Sequence, residues 1–99
     1  MKSKRSKATD ISQKVKNAVW ERDKHQCIIC HSGTASPNAH YIPRSAGGLG
    51  IEENIVTLCN QCHREYDQST ERELIGRRIE AYLKRKYPKW EKENIIYKK

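Results

Sequence analysis

The chain has 99 residues, 35% of them hydrophobic and 32% charged, with no phenylalanine, so it can build one small domain with a modest apolar core that needs further support. Its net charge of +8 sits at the two ends, with +3 on residues 1–10 and +5 on residues 71–99 around a neutral middle, which suits a polyanionic partner whose counterions Lys and Arg release. No apolar run approaches the roughly 18 residues a membrane helix requires, so no membrane partner and a cytoplasmic setting are expected.

Residues 1–10 lack periodicity and read as a flexible basic arm. Ile11, Val15, Ala18 and Val19 then mark one face of a helix running to about Arg22, with Thr9 or Asp10 as its cap. Asp23 to Gly33 holds a cysteine pair in a turn, and Thr34 to Asn38 reads as a linker. Ala39 to Ile42 and Ile55 to Leu58 are short strands on either side of the glycine-rich loop Pro43 to Gly50, a hairpin with a wide tip. Asn60 to Gln68 follows as a helix carrying Cys62 and His63. Leu74, Ile75, Ile79, Tyr82 and Leu83 place an amphipathic helix over Thr70 to Tyr87, which Pro88 ends. Trp90, Ile95, Ile96 and Tyr97 form an apolar tail that folds back. The chain therefore reads as a flexible arm and a single small α+β domain over 11–99, with its core at 19–68 and a C-terminal helix and tail at 70–99.

Cys27, Cys30, Cys59 and Cys62 form two CxxC pairs separated by 28 residues, with no secretory-type apolar stretch ahead of them. Two turns offering two thiolates each complete the tetrahedral shell of a structural zinc ion, so a metal site is expected rather than disulfides. Such a closed site has no open position for chemistry and pins the ends of the insert together. His25 and His31 flank the first pair and read as surface residues.

Inside and beside this clamp lie His40, Asn54 and His63, spaced by 14 and 9. The stretches CIIC, AHYIPRSAGG and EENIVTLCNQCH, in that order between Val19 and Asp67, resemble the HNH nuclease family within the ββα-metal endonucleases. Small free-standing phage and bacterial members, with roles from genome packaging to mobile-element spread, are the nearest in kind. The resemblance implies a ββα-metal core gripping one catalytic divalent ion, whether Mg2+, Mn2+, Ni2+ or Zn2+, in addition to the four-cysteine zinc. It implies that His40 is the general base, that Asn54 orders the loop and that His63 holds the ion. The chemistry agrees: a neutral imidazole near its ordinary pKa of about 6.5 accepts a proton at physiological pH, and an amide side chain can bridge loop backbone groups. The family commonly carries Asp or His as a metal ligand just before the base, and here that residue is Ala39. Asp67, one helical turn after His63, is the candidate replacement; substrate phosphate is another.

Arg44, in the glycine-rich loop just after Pro43, is placed to clamp a phosphate, and Arg77, Arg78, Lys84, Arg85 and Lys86 give the last helix a basic stripe suited to double-stranded DNA with little sequence preference. Two functions follow. One is a metal-dependent DNA endonuclease; the other is a zinc-stapled DNA-binding module without the catalytic ion.

Overall fold

In a computed structural model, which describes residues 3–98, helices pack around a central hairpin and the two cysteine turns. The elements are α1 (Lys4–Thr9), α2 (Gln13–Arg22), β1 (Ala35–His40), β2 (Ile55–Cys59), α3 (Asn60–Gln68) and α4 (Arg72–Lys86), with short 3-10 turns at Arg44–Ala46 and Lys92–Ile95. The strands form one antiparallel two-stranded sheet in a small α+β fold. Among the described residues, no helix is long and apolar enough to cross a membrane.

The basic arm of residues 1–10 is helical over Lys4–Thr9, and Met1 and Lys2 lie outside the described residues. Ser3 caps α1 by accepting from the Ser6 amide, and contacts from elsewhere hold the helix. Arg5 Nη2 donates to the Ser45 carbonyl at 2.9 Å, and the Gly50 amide donates to the Ala8 carbonyl at 2.9 Å. A six-residue helix is marginal by itself, so these tertiary bonds decide its presence. The helix α2 begins after Ser12, which accepts from the Val15 amide, so Ser12 takes the capping role expected of Thr9 or Asp10.

The segment read as a linker supplies most of β1, which runs Ala35–His40 rather than Ala39 to Ile42. Its register with β2 pairs Ser36 with Leu58 but Ala39 with Val56, a slip of one residue around Pro37. Pro37 has no N–H to give a ladder, so the strand bulges there and its alternation is broken in the sequence. After the bulge Ala39 points into the core, 1% exposed, and His40 is only partly buried.

Every residue of β2 is buried. Val56 and Leu58 join Ala39, Tyr41, Ile75, Ile79, Leu83 and Trp90 in the core, while α2 also packs on the strand. A strand covered on both faces reads as the continuous apolar run seen here. The C-terminal tail closes the core and pins the hairpin tip: Trp90 Nε1 donates to the Glu53 carbonyl at 2.7 Å, Leu49 N to the Ile95 carbonyl at 2.9 Å, and Tyr97 N to the Gly47 carbonyl at 2.7 Å.

A buried polar hub ties α2 to β2 and α4. Arg22 holds Asp23 through two bonds, of 2.7 and 3.1 Å, and donates to the carbonyls of Glu52 and Ile55, each at 2.7 Å. Asp23 in turn accepts from the Thr57 amide at 2.8 Å and the Tyr82 hydroxyl at 2.6 Å. The Asp23 side chain is fully buried, so Asp23→Ala strands a guanidinium that is itself only 11% exposed. The expected loss is about 3–5 kcal/mol of unfolding free energy, measured by urea denaturation. Glu73→Ala, which breaks an exposed pair with Arg77, is expected to leave the urea midpoint nearly unchanged.

Candidate active site and metal centre

The turn after α2 carries Cys27 and Cys30, and the junction of β2 with α3 carries Cys59 and Cys62. All four Sγ atoms lie within 4.8 Å of one another, with Cys30 and Cys59 at 3.5 Å. Zn–S bonds of about 2.3 Å in a tetrahedron separate sulfurs by about 3.8 Å, so the cluster accepts such an ion with shifts of about an ångström. Its electrostatics point the same way. Burial pushes the Cys27 thiol up, but the amides of Cys30, Cys59 and Ile29 outweigh it and bring the thiol down to about 7. Burial and the neighbouring thiols push Cys62 up. Four sulfurs this close ionise together only around a cation, and the all-thiolate set favours zinc. His25 instead meets Glu21 at 2.9 Å and stacks on Trp20, and His31 accepts from Gln26 at 2.9 Å.

The loop between the strands closes on Asn54, which is fully buried. Its Oδ1 accepts from the Ile42 amide at 2.8 Å, and its Nδ2 donates to the carbonyls of Ile42 at 3.1 Å and Leu49 at 2.9 Å. Its backbone carbonyl accepts from the Tyr41 amide at 2.8 Å. A Cβ on Gly48 would overlap the Ile42 carbonyl and crowd Asn54 Nδ2, so this packing requires glycine there.

His40 ends β1 with Nε2 2.8 Å from the Thr9 carbonyl at the end of α1. A carbonyl only accepts, so Nε2 carries the proton and the neutral ring keeps its lone pair on Nδ1. Burial first, then the nearby Arg44 and His63, holds the His40 pKa below its ordinary value of 6.5, against the opposing pull of the Thr9 carbonyl and Asp10. The imidazole is therefore neutral at pH 7.

His63 lies on the first turn of α3, directly after Cys62, with Nε2 3.3 Å from Asp67 Oδ2. The two side chains are 32% and 50% exposed, open to a ligand. Tyr66 on the same helix donates from its hydroxyl to the Tyr41 carbonyl at 2.6 Å, which fixes α3 against the end of β1. His40, His63 and Asp67 consequently line one cleft of about 510 Å³, with Asn38, Pro43, Arg44, Ser45 and Arg72. Among the described residues, the four cysteines are the one group of three or more His, Cys, Asp or Glu side chains set to share an ion, so the His63 and Asp67 pair offers two donors and leaves the rest to water or phosphate.

The basic residues expected to meet DNA differ in their surroundings. Arg44 lines the cleft and pairs with Asp10 at 2.8 Å. Arg77 pairs with Glu73 at 2.7 Å and lines a neighbouring groove of about 550 Å³ that shares Pro43 and Arg72 with the cleft. Arg78 donates to the Ile29 carbonyl at 3.3 Å, Lys84 meets Glu80 at 3.3 Å, and Arg85 and Lys86 lie over the Tyr82 ring. None of Arg78, Lys84, Arg85 and Lys86 lines either the cleft or that groove. Sequence reading missed Arg72, Asn38 and the Thr9 carbonyl. The first two carry no spacing signal, and a backbone carbonyl has no letter of its own.

A family model described as HNH endonuclease matches residues 27–79. A protein named Anaredoxin, from Nostoc sp. (strain PCC 7120 / SAG 25.82 / UTEX 2576), is 34% identical over 55 residues, which span 54% of this chain and 72% of that protein.

Cys30→Ser is expected to abolish the cooperative thermal transition and the near-UV circular dichroism, and chelation to lower the thermal midpoint; a variant that kept both signals would contradict a metal centre that supports the fold. In an NMR titration the His40 ring is expected to protonate at a pH below 6.5.

Proposed function

Because the chain belongs to the HNH endonuclease family, we propose that it is a metal-dependent nuclease that hydrolyses DNA phosphodiester bonds in the cleft between the end of β1 and α3. The observation that carries this reading is His40, neutral and held through Nε2, in one cleft with the His63 and Asp67 pair. His40 takes a proton from the attacking water at Nδ1, its remaining lone pair. Arg44 and Arg72 hold the phosphate on the cleft walls, and Asn54 keeps the loop that carries Arg44 in place. His63 and Asp67 would hold the catalytic divalent ion. When bound, the ion polarises the scissile phosphate and stabilises the charge on the leaving oxygen.

The duplex backbone runs from the cleft into the groove of Arg72, Arg77 and Lys92. These are phosphate contacts, which position DNA without reading its sequence, so cutting shows little sequence preference. Zinc in the four-cysteine cluster is structural in this reading.

One observation favours the second reading, a DNA-binding module without the catalytic ion. Ala39, at the family's usual ligand position, is packed in the core and offers no donor. Supercoiled plasmid incubated with Mg2+, Mn2+ or Ni2+ separates the two. The nuclease is expected to nick it, to stop with chelator, and to lose about 100-fold or more in rate as His40→Ala. Asp67→Asn is expected to raise the metal concentration giving half-maximal rate. Binding without nicking under every metal supports the module, and nicking that survives His40→Ala rejects the assigned mechanism. For the wild type, the rate is expected to fall on the acid side as His40 protonates, with the limb below pH 6.5.

A further inference from the structure

The N-terminal segment lies outside the stretch matched by the family model, yet it makes its contacts at the cleft. Its Thr9 carbonyl meets His40 Nε2 at 2.8 Å, and its Asp10 carboxylate meets Arg44 at 2.8 Å. Arg5 donates to the carbonyl of Ser45 at 2.9 Å and, more weakly, to that of Arg44 at 3.4 Å. The Ala8 carbonyl accepts from the Gly50 amide at 2.9 Å. Thr9 itself is buried, its hydroxyl donating to the Ser6 carbonyl at 3.2 Å. From these contacts we propose that α1 and Asp10 at its end are a positioning device for the catalytic base, with the Thr9 main-chain carbonyl selecting the His40 tautomer that leaves Nδ1 basic.

The physical argument is one of geometry. A histidine at the end of a short bulged strand has two rotatable bonds and two neutral tautomers, and nothing in β1 decides between them. A carbonyl at 2.8 Å decides both: it accepts only from an N–H, and it fixes the plane of the ring. Because the carbonyl is held by two further tethers, Arg5 to the loop and Ala8 to Gly50, it does not drift with the end of a six-residue helix. Gly50 does not itself line the cleft, and it is the point where this arrangement can be broken. A Cβ at Gly50 would overlap the Asp10 carbonyl and come within 3.1 Å of the Ile11 amide, so Gly50→Ala forces residues 10 and 11, and Thr9 with them, away from the loop.

The proposal rests on the nuclease reading for its kinetic consequence, and the test therefore has a second readout independent of catalysis. Gly50→Ala and Arg5→Ala are compared with wild type in plasmid nicking and by NMR of the His40 ring nitrogens. Gly50→Ala is expected to lower kcat about 100-fold with KM for DNA little changed, and to replace the single Nε2–H form by a tautomer mixture. Arg5→Ala is expected to do the same in smaller measure, and Arg5→Lys to restore part of it. Lys7→Ala, an exposed change on the same helix, is expected to keep both the rate and the tautomer. An unchanged His40 tautomer in Gly50→Ala, or a change in KM alone, overturns the proposal. Should the wild type prove inactive, the tautomer readout still decides it, since that failure belongs to the nuclease reading.

Discussion

Four sulfur atoms gathered within 4.8 Å govern the arrangement of this protein. They join the turn before β1 to the junction after β2 across 28 intervening residues, so the hairpin is closed at its base whatever its own pairing strength. A two-stranded sheet of this size has little stability by itself in water. With 35% hydrophobic residues and no phenylalanine, the core alone would be a weak substitute for the cross-link. The clamp also sets a register in space. Cys62 is a cluster member, so His63 one residue later is delivered to a fixed place beside the sheet.

The open end of the hairpin is closed by other means. Asn54 spends its amide on the Ile42 and Leu49 backbone, the tail holds the Gly47 to Leu49 tip from one side, and Arg5 and Ala8 hold the loop from the other. None of these contacts is large, yet each satisfies backbone groups that a wide polar loop would otherwise leave to water. Chemistry is thereby separated from support. The cleft can stay polar and open to solvent because buried polar groups elsewhere, above all the pair of Arg22 and Asp23, hold the elements together.

Much of this was legible in the letters. The paired CxxC spacing announced the clamp, the apolar run Ile55 to Leu58 announced β2, and the helix Asn60 to Gln68 was bounded as the structure has it. The order of His40, Asn54 and His63 pointed to the HNH family, which the match over residues 27–79 shows. Where reading failed, a tertiary contact or a local irregularity had overridden the pattern. The bulge at Pro37 broke the alternation of β1, so a strand looked like a linker. Helix α1 has no apolar periodicity because its partners are loop carbonyls and an amide rather than a core. Spacing also says nothing of the partners of the basic residues on α4, where Arg78 is tied to the Ile29 carbonyl and Arg85 and Lys86 lie on Tyr82.

Ala39 bears directly on the proposed metal site. Its methyl group is part of the core, so under the proposed function the base would come from β1 and the metal donors from α3 alone, His63 and Asp67. The central claim is thus that a divalent ion enters this cleft beside His40. Mn2+ titration followed by NMR of the four histidine rings tests it most directly, because the paramagnetic ion broadens signals near its site. His25, which meets Glu21 four residues away as His63 meets Asp67 but lies outside the cleft, is a control within the molecule. The account predicts that His63 broadens first and His40 next, with His25 and His31 unaffected at the same Mn2+ concentration. Broadening of His25 before His63, or of all four together, would contradict it.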